Sequence, residues 1–317
     1  GSPGETCSDP LSISMAHRLR GTRRASHAGS WYSNRASELD AQLQSFLDDA
    51  TDARSSISGH PRAIICPHAG FSYSGATAAW SYQQLDRISD AVTRIFILGP
   101  SHHVGFKSIA LPVVSKYETP LGDLKLDQDV LSTLSDTAQF SSMDASVDED
   151  EHSIEMQLPF IAKLVKGRSD VTIVPMMVGH ISSVQAGHFA EILSPYFEDE
   201  TNFFVISSDF CHWGRRFRYQ HYDSSKGSIH ASIEALDREG MEAIESQDPD
   251  QFVDYLERTD NTICGQRPIL VLMHLLQQCR ESMPCQCSFI SYAQSSAVVD
   301  MKDSSVSYAA GVVYRPE

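Results

Sequence analysis

The chain has 317 residues, 41% of them hydrophobic and 21% charged, an ordinary balance for a globular protein able to bury a large core. With 25 Lys+Arg against 41 Asp+Glu the net charge is −16, which repels polyanions and argues against nonspecific binding of nucleic acid or anionic membrane. No run approaches the ~18 apolar residues of a membrane span, the N-terminus lacks a secretion signal's layout, and the seven cysteines lack paired C-x-x-C units; a cytoplasmic protein with free thiols and access to the nucleus is expected.

Gly1 to Arg24 carries Gly, Ser, Pro and scattered charge without periodicity, and is expected to be a mobile leader, with Gly1-Ser2-Pro3-Gly4 a cloning remnant and Met15 a candidate start. Residues 25–317 are expected to form one domain. Leu39, Leu43, Phe46 and Leu47 share one helical face, with Ser37 a plausible N-cap. A strand over Arg62–Cys66, a Pro67-His68-Ala69-Gly70 turn, a helix over about Ser74–Leu85 and a strand over Arg94–Leu98 follow. This strand, helix, strand rhythm is that of a parallel sheet.

Ile109 to Lys125 reads as an excursion beside the main sheet, broken at Pro112, Pro120 and Gly122. The acidic run Asp148–Glu151 precedes an apolar-periodic stretch over Ile154–Val165 and reads as a helix start favoured by the dipole. Val171–Val178 and Asn202–Ile206 read as buried strands around a helix at Ser183–Leu193. Helices are expected at Gly227–Ser246, Asp250–Arg258 and Arg267–Cys279, and strands at Cys287–Ala293 and Val306–Tyr314. No internal repeat or long linker interrupts the chain. The fold class is therefore α/β: a single domain with a central, mostly parallel or mixed sheet flanked by helices.

Three buried runs end in histidine-bearing loops: Ile-Ile-Cys-Pro-His68, Leu-Gly-Pro-Ser-His102-His103 and Ile-Ser-Ser-Asp209-Phe-Cys-His212. In open parallel sheets, ligands gather outside the carboxyl ends of the strands. Imidazole is both the commonest metal ligand and the usual acid/base near neutral pH, so the three loops suggest one shared site. Asp209 is placed to orient His212. A serine hydrolase using Ser101, Ser207 or Ser208 is a weaker alternative, because no G-x-S-x-G elbow is present. Arg215, Arg216 and Arg218 form a basic cluster suited to a carboxylate or phosphate, or else a solvated, ion-paired turn. Cys264, at a loop-to-helix junction, is a candidate thiolate alongside Cys66 and Cys211.

These residues lie in blocks that resemble the Memo family, named from mediation of growth-factor-receptor-driven cell motility: SHAGSWY (26–32), PHAGFSYSG (67–75), IFILGPSHH (95–103), DEDEHSIEM (148–156), SSDFCHWGRRFRY (207–219), NTICG (261–265) and DSSVSYAAG near the end. The family in turn is similar to class III extradiol dioxygenases, α/β enzymes that hold Fe(II) with two histidines and a carboxylate. By that resemblance His68 and His102 are metal ligands, and Cys264 occupies the carboxylate position, which widens the expected cofactor to iron or copper. His212 matches the acid/base histidine, with Asp209 beside it. Trp31 and Tyr73 match the pocket wall, and His103 and His152 are rim candidates. The resemblance implies a metal-binding, redox-linked protein of receptor signalling. The alternative is a non-enzymatic adaptor that takes a phosphotyrosine-containing receptor peptide in the cleft through Trp31, Tyr73, His103, Arg215 and Arg216.

Overall fold

The structure, a computed structural model, describes residues 19–317. The expected cloning remnant and candidate start lie outside the described residues. Twelve strands are present among them: β1 (Thr22–Arg23), β2 (Gly59–Cys66), β3 (Arg94–Pro100), β4 (Ile109–Pro112), β5 (Lys116–Tyr117), β6 (Leu124–Lys125), β7 (Ser141–Met143), β8 (Thr172–Val178), β9 (Asn202–Ser207), β10 (His212–Trp213), β11 (Gln286–Gln294) and β12 (Ser305–Pro316). The α-helices are α1 (Ala36–Asp49), α2 (Phe71–Asp86), α3 (Gln128–Asp136), α4 (Ala145–Asp150), α5 (Leu158–Leu164), α6 (Ser183–Glu198), α7 (Ile229–Glu245), α8 (Pro249–Thr259) and α9 (Gln266–Gln278).

Nine strands form one mixed sheet in the order β10-β12-β2-β9-β3-β8-β4-β7, with β11 also paired to β12. Its centre, β2-β9-β3-β8, is parallel throughout. Helices α2, α6 and α9 pack on this sheet, which explains why Ala63–Cys66, Ile95–Leu98 and Phe203–Ile206 are apolar without alternation and wholly buried. Strand β9 comes after β3 in the chain yet lies between β2 and β3. The loop after β9 is thereby set between the loops carrying His68 and His102.

Four expectations change. Helix α1 is capped at Arg35, so Ser37 lies inside the helix rather than before it. Ile109–Pro112 joins the main sheet antiparallel to β8, while β5 and β6 form a small sheet with β1. The expected leader ends too late: Thr22 and Arg23 form β1, and the Arg23 side chain is buried. Its Nε donates to Asp148 Oδ1 (2.8 Å), Nη1 to Glu155 Oε2 (2.7 Å), and Nη2 to the carbonyls of Asp148 (2.7 Å) and Glu151 (2.8 Å). The acidic run closes α4 instead of opening the next helix, because Asp148 and Glu155 pair with Arg23. Pro159, in the first turn of α5, marks the later helix start.

Candidate metal centre

His68 stands two residues past β2 with its side chain 1% exposed. Its Nδ1 lies 2.8 Å from Ser207 Oγ. The one hydroxyl hydrogen of Ser207 goes to the Ser153 carbonyl (2.7 Å), and Gln157 Nε2 donates to Ser207 Oγ (2.9 Å). Gln157 cannot be turned around, since its Nε2 also donates to the Pro67 carbonyl and its Oε1 accepts from Tyr82. Ser207 Oγ must therefore accept from His68 Nδ1–H, leaving the Nε2 lone pair free. That nitrogen is 3.2 Å from Cys264 Sγ.

His102 is held from the acidic run. Glu151 accepts from the His102 backbone N–H (2.6 Å), His102 Nδ1 (2.9 Å) and the Ser153 N–H (2.9 Å). The approach needs Gly99, where a Cβ would meet Ser153 Oγ at 2.6 Å and Ile154 Cγ1 at 2.8 Å. Gly265 plays the same part beside Cys264: a Cβ there would lie 2.3 Å from Ser208 Cβ and 2.5 Å from the Ser207 carbonyl. Cys264 Sγ accepts from the Asp209 N–H at 3.3 Å.

Donor atoms of His68, His102 and Cys264 all lie within 4.8 Å of one another. With metal–nitrogen bonds of about 2.1 Å and metal–sulfur bonds of about 2.3 Å, three donors spaced in this way fit one ion. His102, Glu151 and His152 form a second group of the same span. There, however, the carboxylate already accepts three N–H groups, so Glu151 acts as the acceptor that orients His102.

Burial holds His68 well below the usual imidazole range, and His102 adds to this. Burial also opposes the charge of His102, but hydrogen bonds to Cys264 and Glu151 outweigh it and raise its pKa to about 10. Burial pushes the Cys264 thiol up, and the hydrogen bond with His102 pulls it back. Cys66 and Cys211 are buried away from the cluster, and burial pushes both thiols up. The six described cysteines are all free.

The cluster opens into a cavity of about 660 Å³ lined by Trp31, Tyr73, His152, His212, Arg216 and Tyr308, among others. His103 and Arg215 are not among its lining residues. Tyr73 is 66% exposed at the mouth. His152 lies further in than a rim residue: its ring is 4.4 Å from that of Trp31 and stacked 4.5 Å from that of His102. Burial, with His68 and His102 beside it, lowers its pKa to about 3.

The expected Asp209–His212 pair does not form. Asp209 Oδ1 instead accepts the His68 N–H at 2.8 Å, because its loop lies beside β2. His212, in β10 against β12, is 2.9 Å by Nδ1 from the Phe210 carbonyl and 3.2 Å from that of Thr262. Carbonyls only accept, so Nδ1 carries a proton and Nε2 is the nitrogen left for a ligand or substrate. The serine nucleophiles also fail: Ser207 is saturated, Ser208 bonds the Asp209 carbonyl and the Gly265 N–H, and Ser101 bonds the Val104 carbonyl. Arg216 stacks on Phe217 at 4.4 Å. No described carboxylate lies within 4.0 Å of Arg215, Arg216 or Arg218, so the turn is not ion-paired among the described residues. Glu151 and Ser207 have no motif signal beyond their place in the blocks above, and Gln157 lies just past the end of one of them.

As a class, this is a single-domain mixed α/β protein whose strand ends gather a His/His/Cys group able to hold a metal. The family model described as Memo-like protein matches residues 23–312. Protein MEMO1 of Xenopus laevis is 50% identical over 293 residues, covering 92% of this chain and 97% of the relative. Protein MEMO1 of Homo sapiens is 47% identical over the same coverage. The protein memo-1 homolog of Caenorhabditis elegans is 48% identical over 296 residues, 92% of this chain and 83% of its own. The chain belongs to the Memo family. Among the described residues no helix is long and apolar enough to cross a membrane.

Proposed function

We propose that the protein binds iron or copper through His68, His102 and Cys264 and uses the bound metal in a redox-linked step of receptor-driven motility signalling. One observation carries this reading: two imidazoles whose Nδ1 positions are occupied turn their Nε2 atoms toward one cysteine sulfur, with all three donors within 4.8 Å. A metal there would supply one-electron chemistry at a thiolate-bearing site. His212 Nε2 would accept or return a proton at the cavity wall, and Trp31 and Tyr73 would hold an aromatic group against the cleft. Asp209 would position the His68 backbone rather than act as a base.

The test is anaerobic loading with Fe(II) and with Cu(I), followed by metal analysis and X-ray absorption at the metal edge. About one equivalent of metal with a sulfur neighbour, lost in Cys264→Ser, supports the reading. Equal loading of wild type and variant refutes it.

The adaptor reading has its own observation in Arg216, which lines the cavity without a carboxylate partner among the described residues. A phosphotyrosine could lay its ring by Trp31 and Tyr73 and its phosphate on that guanidinium. Calorimetry with matched phosphorylated and plain peptides tests this. The phosphate preference should weaken with salt and in Arg216→Ala, and its absence would remove the reading.

A further inference from the structure

At the other end of the sheet, β2 and β12 lose register: Pro61 faces Tyr314 while Ala63 faces Val313. Arg62 is the extra residue of a β-bulge, a distortion that re-aims a side chain. Its side chain is 0% exposed. Nη2 donates to the Phe197 carbonyl (2.6 Å) and the Asp199 carbonyl (2.8 Å) at the end of α6, and the guanidinium lies 5.7 Å from the Phe197 ring centre. Nε and Nη1 are buried and have no hydrogen-bond partner among the described residues, and His60 Nε2 is in the same condition.

The neighbouring acids are engaged elsewhere. Glu200 pairs with Arg315, and the Asp199 carboxylate accepts from Thr201. Arg315 faces His60 across the ladder, and Arg87 bonds the Gly59 carbonyl. Cys285 also lies close enough to interact with Arg62, but burial pushes its thiol up to about 11, so it supplies no anion near neutral pH. Arg62, Arg87 and Arg315 against Asp199 and Glu200 leave this corner cationic in a chain of net charge −16. A buried cation without a counter-charge is costly, and buried N–H groups without acceptors are rare in native proteins. Nε and Nη1 together carry three hydrogens. One water molecule would accept only two of these and would leave the charge unbalanced.

We infer that Arg62, with His60 at its edge, forms a binding site for a small monovalent anion of halide size. Complete burial of the guanidinium excludes a bulky ligand, and a halide reaches Nε and Nη1 only by displacing neighbouring atoms slightly. Four residues of β2, about 13 Å of strand, and two of the following loop carry the chain from Arg62 to His68, so the site is independent of the metal centre and its failure leaves that reading intact.

Crystals of the full chain grown in sodium bromide, and measured for bromine anomalous scattering, test it. A bromide peak within hydrogen-bond distance of Arg62 Nε or Nη1, absent from Arg62→Met crystals, is expected. A peak without anomalous signal there, or bromide only beside the exposed Arg315 (an adventitious ion only), overturns the inference. Should Arg62→Met not fold, His60→Gln serves, with reduced bromide occupancy expected and unchanged occupancy counting against the site. In solution, the melting temperature should rise more with sodium chloride than with sodium gluconate at equal ionic strength. Sodium formate distinguishes a halide site from a carboxylate site: a rise with formate and none with chloride refutes the halide assignment.

Discussion

Glu155→Gln is the sharpest probe of how the cleft is held. Glu155 Oε2 accepts from Arg23 Nη1 (2.7 Å) and His27 Nδ1 (2.8 Å), and Oε1 from the His27 N–H (2.9 Å) and Tyr32 hydroxyl (2.8 Å). Burial alone would raise this carboxyl, yet His27, Arg23 and Tyr32 together bring it from 4.5 down to about 2. A displacement of that size is worth about 3 kcal/mol. Breaking one arm of a buried ion pair costs about 3–5 kcal/mol on separate grounds, and the two figures agree. Because the folded pKa lies below the unfolded one, the stabilisation is complete above pH 4.5 and is lost as pH falls from 4.5 toward 2. Urea unfolding of both proteins should therefore differ by about 3 kcal/mol at pH 7 and converge near pH 2. Hydrogen exchange should quicken most over 26–32, the loop that carries Trp31. A difference under about 1 kcal/mol at pH 7, or one that does not shrink with acid, would refute the argument.

Glu151→Gln leaves His102 without its anionic acceptor and should weaken metal binding by about 10- to 100-fold, read by chelator competition. Gly265→Ala forces a methyl group into Ser208 Cβ and the Ser207 carbonyl, and should cost about 1–3 kcal/mol in urea unfolding while also lowering metal affinity. Asp237 is a second pH probe: burial raises its carboxyl to about 6 despite hydrogen bonds from Ser307, Asn261 and Tyr292. Its contribution is full below pH 3.8 and is lost as pH rises through 6, about 3 kcal/mol in all. Asp237→Asn should flatten that part of the stability profile in titrated urea unfolding.

Repeated apolar runs closed by Pro, Gly and His made the strand ends legible, since burial on both faces of a parallel sheet leaves a local signature in the chain. Family blocks singled out Cys264 from three candidate cysteines and added Trp31 and Tyr73, which no periodicity marks. Partners were not legible. The acidic run has the composition of a solvated helix start, and only the packing of α4 against β1 turns it into the clamp on Arg23 and His102. Asp209 sits three residues from His212 in the chain but bonds a backbone group 141 residues away, and His152 moves from the rim to the stack between Trp31 and His102. The sequence alone determined where strands end and which chemistry their loops carry, because burial and turn preference are local. Tertiary structure decided which donor meets which acceptor, because inserting β9 between β2 and β3 sets the neighbours of every loop at the site.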